Sequence, residues 1–330
     1  MMHVSVVVVC LNEEHHIFPC LESLLAQRYT LGEYEIVVVD GGSRDRTPEI
    51  VRAYTAMHPH VRLVTELRKG TAIGRNAGVS AARHPNIAFI DADCEAPPEW
   101  LERLATAFRH HRDQDQNVVA AGGGNVPPKD GPPFMQAVGV AMDSFAGSFN
   151  SAQGRRFAED RQVHSLATLN VMYAKAAILA AGGFDVTLGS EAEDADLNHR
   201  LTRRGARLIF IPDNPVIHKF RPTPRIWYHN MVRYGRGRAR LLKRHPEMRA
   251  WQFALPPVFL LGMATLLLGP LHPIFWSAAL YFPAMLLHAT LLCLKHDRIA
   301  LVLHVTVVFI VQHFGYAIGE VTGLLDPKVL

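Results

Sequence analysis

The sequence predicts an α/β protein built on a mainly parallel central sheet, followed by a C-terminal region of transmembrane helices. Three observations predict it. Short, continuous apolar runs alternate with helix-length segments through the first 120 or so residues, as in a sheet covered on both faces. Each of the main runs stops at acidic residues or glycines. From Phe253 onward, charged residues almost vanish, and this explains a mean hydropathy of +0.07 in a chain that is 19% charged.

The elements follow in order. His3–Val9 (HVSVVVV) is a β-branched run and reads as the first strand; Glu14–Gln27 follows as a helix. Tyr34–Asp40 (YEIVVVD) is a second such run, and Thr47–Met57 a second helix. Val61–Thr65 reads as a weak strand and Thr71–Ala82 as a helix. Asn86–Asp91 (NIAFID) is a buried-type strand, followed by a helix near Pro97–His110, and Asn117–Gly122 closes the series. Beyond Gly124 the pattern loosens. Pro127–Pro133 reads as a loop, and Ser151–Gln162 as a polar, glycine-containing segment near a substrate. Ala174–Ala181 is helical and stops at Gly182-Gly183, Glu191–Arg204 is an amphipathic helix, and Ala206–Pro212 a strand.

Three apolar stretches occupy the tail: Phe253–Gly269, Ile274–Leu294 and Ile299–Gly319. Each approaches the ~20 residues that cross a bilayer. The first carries Pro256-Pro257. The third contains His304, Gln312 and His313, with Glu320 just beyond, which fits a tilted, buried or interfacial helix as well as a span. Just before the tail stand Arg225, Arg233, Arg236, Arg238, Arg240, Lys243, Arg244 and Arg249, opposed only by Glu247. Cations beside an apolar segment read as the positive-inside signal and contacts to anionic lipid, in preference to nucleic acid. The sequence thus divides into an α/β domain over 1–222, a basic juxtamembrane segment over 223–252, and a membrane region of about three helices over 253–330.

Composition narrows the chemistry. The four cysteines show no CxxC spacing, which fits a reducing cytosol, and the 18 histidines lack zinc-site spacing. The run Val4–Leu11 has no basic region ahead of it, so it does not read as a secretory signal. Neither GxGxxG nor GxxxxGK[ST] follows a strand.

In a parallel sheet, ligands bind beyond the carboxyl ends of the strands, so the residues there matter most. The first run enters Asn12-Glu13-Glu14, the second Asp40-Gly41-Gly42-Ser43-Arg44-Asp45, and the fourth Asp91-Ala92-Asp93. Asn12 and Asp45 suit helix caps. Capping does not account for acids at three neighbouring strand ends, because their mutual repulsion needs a cation or donor groups nearby. On an extended chain Asp91 and Asp93 point to one side, where both can hold a divalent cation that grips a diphosphate. A second acidic cluster, Glu191, Glu193, Asp194 and Asp196, opens the later amphipathic helix. Some of these acids complement the helix dipole; at least one is a candidate general base.

The ordered set VSVVVVCLNEE, IVVVDGGSRDRT, KGTAIGRNAG, IAFIDADC, NVMYAKAAILAAGGFD and EDADLNHRL resembles family 2 glycosyltransferases of the GT-A fold over about Val4–His218. The resemblance implies inverting transfer of a sugar from a nucleotide-diphospho-sugar to an acceptor hydroxyl, with Mg²⁺ or Mn²⁺. It implies that Glu13, Glu14, Asp40, Lys69 and Arg75 line the nucleotide pocket, and that Asp91 and Asp93 hold metal and diphosphate. His218 is a further metal candidate. Asp194 is the expected base, with Glu193 beside it. Arg233-Tyr234 in NMVRYGRGR looks like a degenerate QxxRW motif, placing Arg233 among the donor-binding candidates but departing from processive synthases. The architecture looks like bacterial membrane-anchored enzymes that build exopolysaccharide or lipid-linked glycans on the cytoplasmic face. A processive synthase and a non-catalytic membrane scaffold are the rival readings. With three full spans, Leu330 falls on the far side of the membrane; an interfacial third segment returns it to the cytoplasm.

Overall fold

The structure is a computed structural model that describes residues 1–149, 151–154, 157–188, 191–220 and 223–327. It resolves into two compact units, Met1–Val126 with Ser151–His218, and Pro127–Asn150 with Lys219–Leu330. The segment expected to be one domain over 1–222 is therefore interrupted, its residues 127–149 belonging with the tail. The domain boundary at Pro222 and the terminal Leu330 lie outside the described residues, as does part of the polar segment, 155–156.

The first unit is a sheet flanked by helices. In chain order it contains β1 (Val4–Cys10), α1 (Ile17–Leu25), β2 (Tyr34–Asp40), α2 (Thr47–Met57), β3 (Val61–Thr65), α3 (Thr71–Ala81), β4 (Asn86–Asp91), β5 (Cys94–Glu95), α4 (Trp100–Gln114) and β6 (Val118–Val126). After α5 (Pro133–Met142) and α6 (Phe145–Ser148), both in the second unit, come β7 (Arg161–Val163), β8 (Asn170–Ala174), α7 (Lys175–Ala180), α8 (Glu193–Arg203) and β9 (Arg207–His218). The strand order is β3-β2-β1-β4-β8-β6-β9-β5, with β7 on β9. β3, β2, β1 and β4 run parallel, as do β6 and β9, while β8 is antiparallel to both β4 and β6.

Strands β1 and β2 are valine-rich because both faces are covered. Val4, Val6, Val7 and Val8 of β1 are all buried, as are Ile36, Val37, Val38 and Val39 of β2. Polar groups are buried in this layer too, Ser5 and Glu35 among them. Glu35 accepts from Ser5 Oγ (2.8 Å), Arg83 N (2.6 Å) and Arg62 Nη1 (2.8 Å). Burial works against its charge, but the bonds from Arg62, Arg83 and Ser5 outweigh it and hold the carboxyl below the usual range. Helix α3 packs closely on the sheet. A Cβ on Gly78 would lie 2.4 Å from Val7 Cγ1, so only glycine fits there.

The second unit contains α5, α6, α9 (Pro224–Arg244), α10 (Leu255–Ala264), α11 (Tyr281–Lys295) and α12 (Val302–Leu325). The basic segment is thus mostly a 21-residue helix, α9. Three stretches are long and apolar enough to cross a membrane: Trp251–Leu268, Pro273–Lys295 and Ile299–Leu325. The core joins α5 to α9, α11 and α12 through Phe134, Val138, Met231, Leu292, Val308 and Phe309.

Candidate active site

Register places the acidic strand ends side by side. In the parallel ladders Cys10 pairs with Asp40 and Val9 with Asp91, so β2, β1 and β4 end at one edge. The two loops at this edge are bonded to each other. Asn12, at φ 57°, donates to Ser43 Oγ (2.8 Å) and accepts from Arg44 N (2.8 Å). Glu13 N donates to Thr47 Oγ1 and Glu14 N to Asp45 Oδ2. Asn12 therefore does not cap α1, which begins at Ile17 after His16; it ties one loop to the next. Asp45 serves α2 nearly as expected, accepting from Thr47 N at 3.0 Å.

The half-buried Glu13 and Glu14 have carboxylates engaged locally, Glu13 with His16 Nδ1 (2.8 Å) and Glu14 with Arg46 N (3.1 Å). Asp40 is buried and accepts from the backbone N–H groups of Gly42 and Ser43, a turn completed by Gly42 at φ 82°. Lys69 is exposed in the loop before α3. Arg233 is carried on α9 of the second unit, exposed, with Nη1 3.4 Å from Asn230 Oδ1.

Arg75 is the junction. It rises near the start of α3, its side chain only 7% exposed, contacts Glu193 Oε1 directly, and stands 3.6 Å from Asp91 Oδ1. Phe184 lies beside its guanidinium, 5.7 Å from the ring centroid. Burial opposes its charge, but Glu193, Asp91 and Asp194 together hold it protonated above its ordinary value. Next to it, Asn76 donates to Phe184 O (2.7 Å) and accepts from Phe184 N (2.8 Å), which draws the segment ahead of α8 against α3. Adjacent residues of the GRNAG string thus dock the helix that bears Asp194. Asn76 is not among the residues expected from sequence; its place within that string is the available signal.

Three of the four acids of the second cluster, Glu193, Asp194 and Asp196, separate into distinct roles. Glu193 is buried in its pair with Arg75, and burial pushes its carboxyl up against the pull of the guanidinium. Asp196 is fully buried and pairs with Arg200 at 2.7 Å, and Arg200 in turn donates to Ala181 O and Gly183 O. Asp194 is half-buried at the second position of α8 and accepts from Ala195 N at 2.7 Å.

The relation of Asp91 to Asp93 differs from the extended-chain expectation. The chain turns at Ala92-Asp93, so Asp91 meets Arg75 while the buried Asp93 has Oδ2 3.4 Å from His218 Nε2. His218 arrives there because β5 pairs antiparallel with β9, setting Cys94 opposite His218. Its other ring nitrogen contacts Asn125 Nδ2 at 2.8 Å. Desolvation, and then Asp93 beside it, hold the Asp91 carboxyl above its ordinary range, against the pull of Arg75. Ligand atoms of Asp93, Cys94 and His218 lie within 4.8 Å of one another. Burial keeps the Cys94 thiol protonated, which leaves an oxygen and an imidazole nitrogen. That donor set suits Mn²⁺ better than oxygen-seeking Mg²⁺ or a thiolate-seeking metal.

The parallel sheet with an acidic carboxyl edge, continued beyond β4 by antiparallel β8, is the GT-A arrangement. Residues 5–163 match the family described as Glycosyl transferase family 2, and residues 86–311 match Glycosyl transferase family group 2. The chain belongs to this glycosyltransferase family, its second match covering most of its length. It is 28% identical over 255 residues to glycosyltransferase AglE of Haloferax volcanii, spanning 76% of this chain and 79% of that protein. It is 27% identical to the succinoglycan biosynthesis protein ExoA of Rhizobium meliloti, over 83% of this chain and 79% of ExoA. Among solved structures it resembles the mannosyltransferase PcManGT of Pyrobaculum calidifontis, in complex with GDP-Man and Mn²⁺, with a TM-score of 0.58. That likeness covers 94% of this chain and 86% of PcManGT at 21% identity.

Proposed function

We propose that the chain is a membrane-anchored inverting glycosyltransferase. It moves a sugar from a nucleotide-diphospho-sugar to the hydroxyl of a lipid-linked or exopolysaccharide precursor at the cytoplasmic membrane face. The observation that carries the proposal is the linkage of Asp91, Glu193 and, one residue on, Asp194 through Arg75. It joins the strand end expected to hold the donor diphosphate to the helix expected to hold the base. Relatives support the reading: ExoA is a succinoglycan biosynthesis protein, and PcManGT is a mannosyltransferase seen in complex with GDP-Man and Mn²⁺.

In this reading Asp194 accepts the proton of the acceptor hydroxyl as its oxygen attacks the anomeric carbon. A new C–O bond forms, the bond from that carbon to the diphosphate oxygen breaks, and the nucleoside diphosphate leaves with the electron pair. Single displacement inverts the anomeric centre. Glu193, committed to Arg75, positions Asp194 by fixing the first turn of α8; it stays the alternative base. Asp93 and His218 would hold the divalent cation, which when bound would neutralise charge on the leaving diphosphate, and Asp91, expected as a further ligand, is turned toward Arg75. Glu13, Glu14, Asp40 and Lys69 border the nucleotide, and Arg233 is retained as a donor contact. The basic cluster and the apolar tail supply the anchor.

The test is a screen of UDP-, GDP- and dTDP-sugars for binding to the detergent-solubilised full chain. Transfer by the binding donor, with the anomeric configuration of the product read by NMR, then completes the assignment. Retention of configuration, or binding of no nucleotide sugar, would overturn the proposal.

A further inference from the structure

Strand β6 carries consecutive glycines, Gly122-Gly123-Gly124, just ahead of Asn125, and their surroundings in the first unit explain them. A Cβ on Gly123 would lie 2.1 Å from Asn214 O and 2.6 Å from Asn170 Nδ2, and one on Gly124 2.7 Å from Gln153 O. The ladder with β9 is irregular at this point. Gly123 pairs with Ile211 and Asn125 with Val216, so Gly124 alone stands against residues 212–215 of β9. Hydrogen bonds hold the irregularity in place. Asn125 N donates to Gln153 O (3.0 Å), and Asn170 Nδ2 donates to Gly124 O (2.8 Å) and Asn214 O (2.7 Å).

Asn125 is fixed by this frame and is buried. It stands opposite Val216 in a parallel pair, so its side chain shares a face with His218, two residues further along β9. Its Nδ2 reaches His218 Nδ1 at 2.8 Å. Its Oδ1 is buried and has no hydrogen-bond partner among the described residues. Asn170 differs: that amide uses both ends, Nδ2 donating twice and Oδ1 accepting from Trp100 Nε1 at 2.8 Å. A buried acceptor without a donor is unfavourable, and it points to a second arrangement in which the acceptor is used.

A neutral imidazole has one N–H and one lone pair, and the group facing one nitrogen decides what the other presents. With Nδ2 toward the ring, Asn125 donates to Nδ1, and a neutral ring carries its proton on Nε2, which lies 3.4 Å from Asp93 Oδ2. In that tautomer Nε2 has no lone pair to give a metal. A half-turn of the Asn125 amide brings Oδ1 to the ring instead. The amide then accepts from Nδ1–H, the orphaned acceptor gains a donor, and Nε2 presents its lone pair on the Asp93 side. The net charge of the ring is the same in both arrangements; its one proton has moved from Nε2 to Nδ1.

We propose that Asn125 is the positioning residue of the cation site: its amide, turned to accept from His218 Nδ1, makes Nε2 a metal ligand. The proposal rests on the cation reading given above, in which Asp93 and His218 would hold the metal. An acceptor behind a ligating imidazole contributes roughly 10–100-fold to metal affinity.

The test measures Mn²⁺ binding to the detergent-solubilised full chain by loss of the free-ion EPR signal, alone and with UDP or GDP added, so that no turnover is needed. Asn125→Leu keeps the volume and removes the amide, and its affinity should fall roughly 10-fold or more. Asn125→Asp keeps an acceptor at the ring and should bind Mn²⁺ at least as tightly as wild type. In a His218→Ala background Asn125→Leu should have no further effect, whereas a merely structural role would persist there. Unfolding midpoints show that each variant is folded. Wild-type affinity in Asn125→Leu, an equal loss in Asn125→Asp, or a loss that persists without His218 overturns the inference while the cation site stands. Should Asn125→Leu fail to fold, Asn125→Asp decides alone, and its loss of affinity overturns the inference. A wild-type chain that binds no Mn²⁺ under any of these conditions overturns the cation reading and the inference with it.

Discussion

Replacing Asp194 by asparagine tests the chemistry most directly. The substitution keeps the shape of the side chain and removes its basicity. Asp194 is half-buried and one position beyond Glu193, whose pair with Arg75 fixes the start of α8. The Arg75 junction should survive, and donor affinity should stay within about threefold of wild type, since no donor-binding group is removed. A positioned base contributes roughly 10²–10⁴ in rate, or about 2.7–5.4 kcal/mol at ~1.36 kcal/mol per decade. Single-turnover transfer by Asp194→Asn should therefore fall at least about a hundredfold. Asp196→Asn, the obvious neighbouring control, is unsuitable: Asp196 is fully buried on Arg200 and its loss acts on the fold. Near wild-type transfer by Asp194→Asn would refute the assignment and move the base to Glu193 or Glu191.

Other outcomes follow from the same geometry. Asp196→Asn should destabilise the chain by about 3–5 kcal/mol, as breaking one side of a buried pair does, seen as a lower unfolding midpoint. Chelation by EDTA should abolish transfer and added Mn²⁺ restore it, and Asp93→Ala should resist rescue; full activity of that variant without metal would contradict the cation assignment. Glu35→Gln should lose stability at neutral pH. Because the folded-state value of Glu35 lies below the ordinary 4.5, its contribution is complete above about pH 4.5 and fades as pH falls through the lowered value. Melting curves of wild type and variant should accordingly converge as the pH falls below that range; a gap that widens in acid would reverse the sign. Gly78→Ala should cost about 1–3 kcal/mol, because Val7 is a stiff β-branched side chain that cannot yield.

The parts of the fold visible in the sequence are those set by local pattern. Tyr34–Asp40, Thr47–Met57, Val61–Thr65 and Asn86–Asp91 begin and end where the apolar runs and their punctuation indicate. Strand β8 is not legible, because NVMYA runs directly into a helix and its two antiparallel partners are distant in the chain. Helix α5 stays hidden because PFMQAVGVAM is apolar on nearly every side and gives no amphipathic period. At the site, Asp93 and His218 are both legible as candidates, but their meeting depends on the two-residue strand β5, too short to read in advance. Asn125, beside His218, carries no sequence signal at all. Asp91 and Asp93 would share one side only on extended backbone, and the chain turns between them.

Helices α9 and α12 meet in a glycine seam, Gly315 against Tyr228, Gly319 against Val232, Gly323 against Arg236 and Gly235 against Tyr316, which constrains how this chain can change in length. Four close approaches share one register, so the two helices are keyed like gear teeth. One residue inserted into α9 ahead of Tyr228 shifts nothing in the seam. One inserted between Val232 and Arg236 turns the remainder by ~100°, so that a side chain replaces open backbone opposite Gly323. The shortest insertion that brings the face back to within ~20° is about seven residues, two turns. Related chains that keep this seam should vary in length before it and after it, and hold the spacing within it fixed.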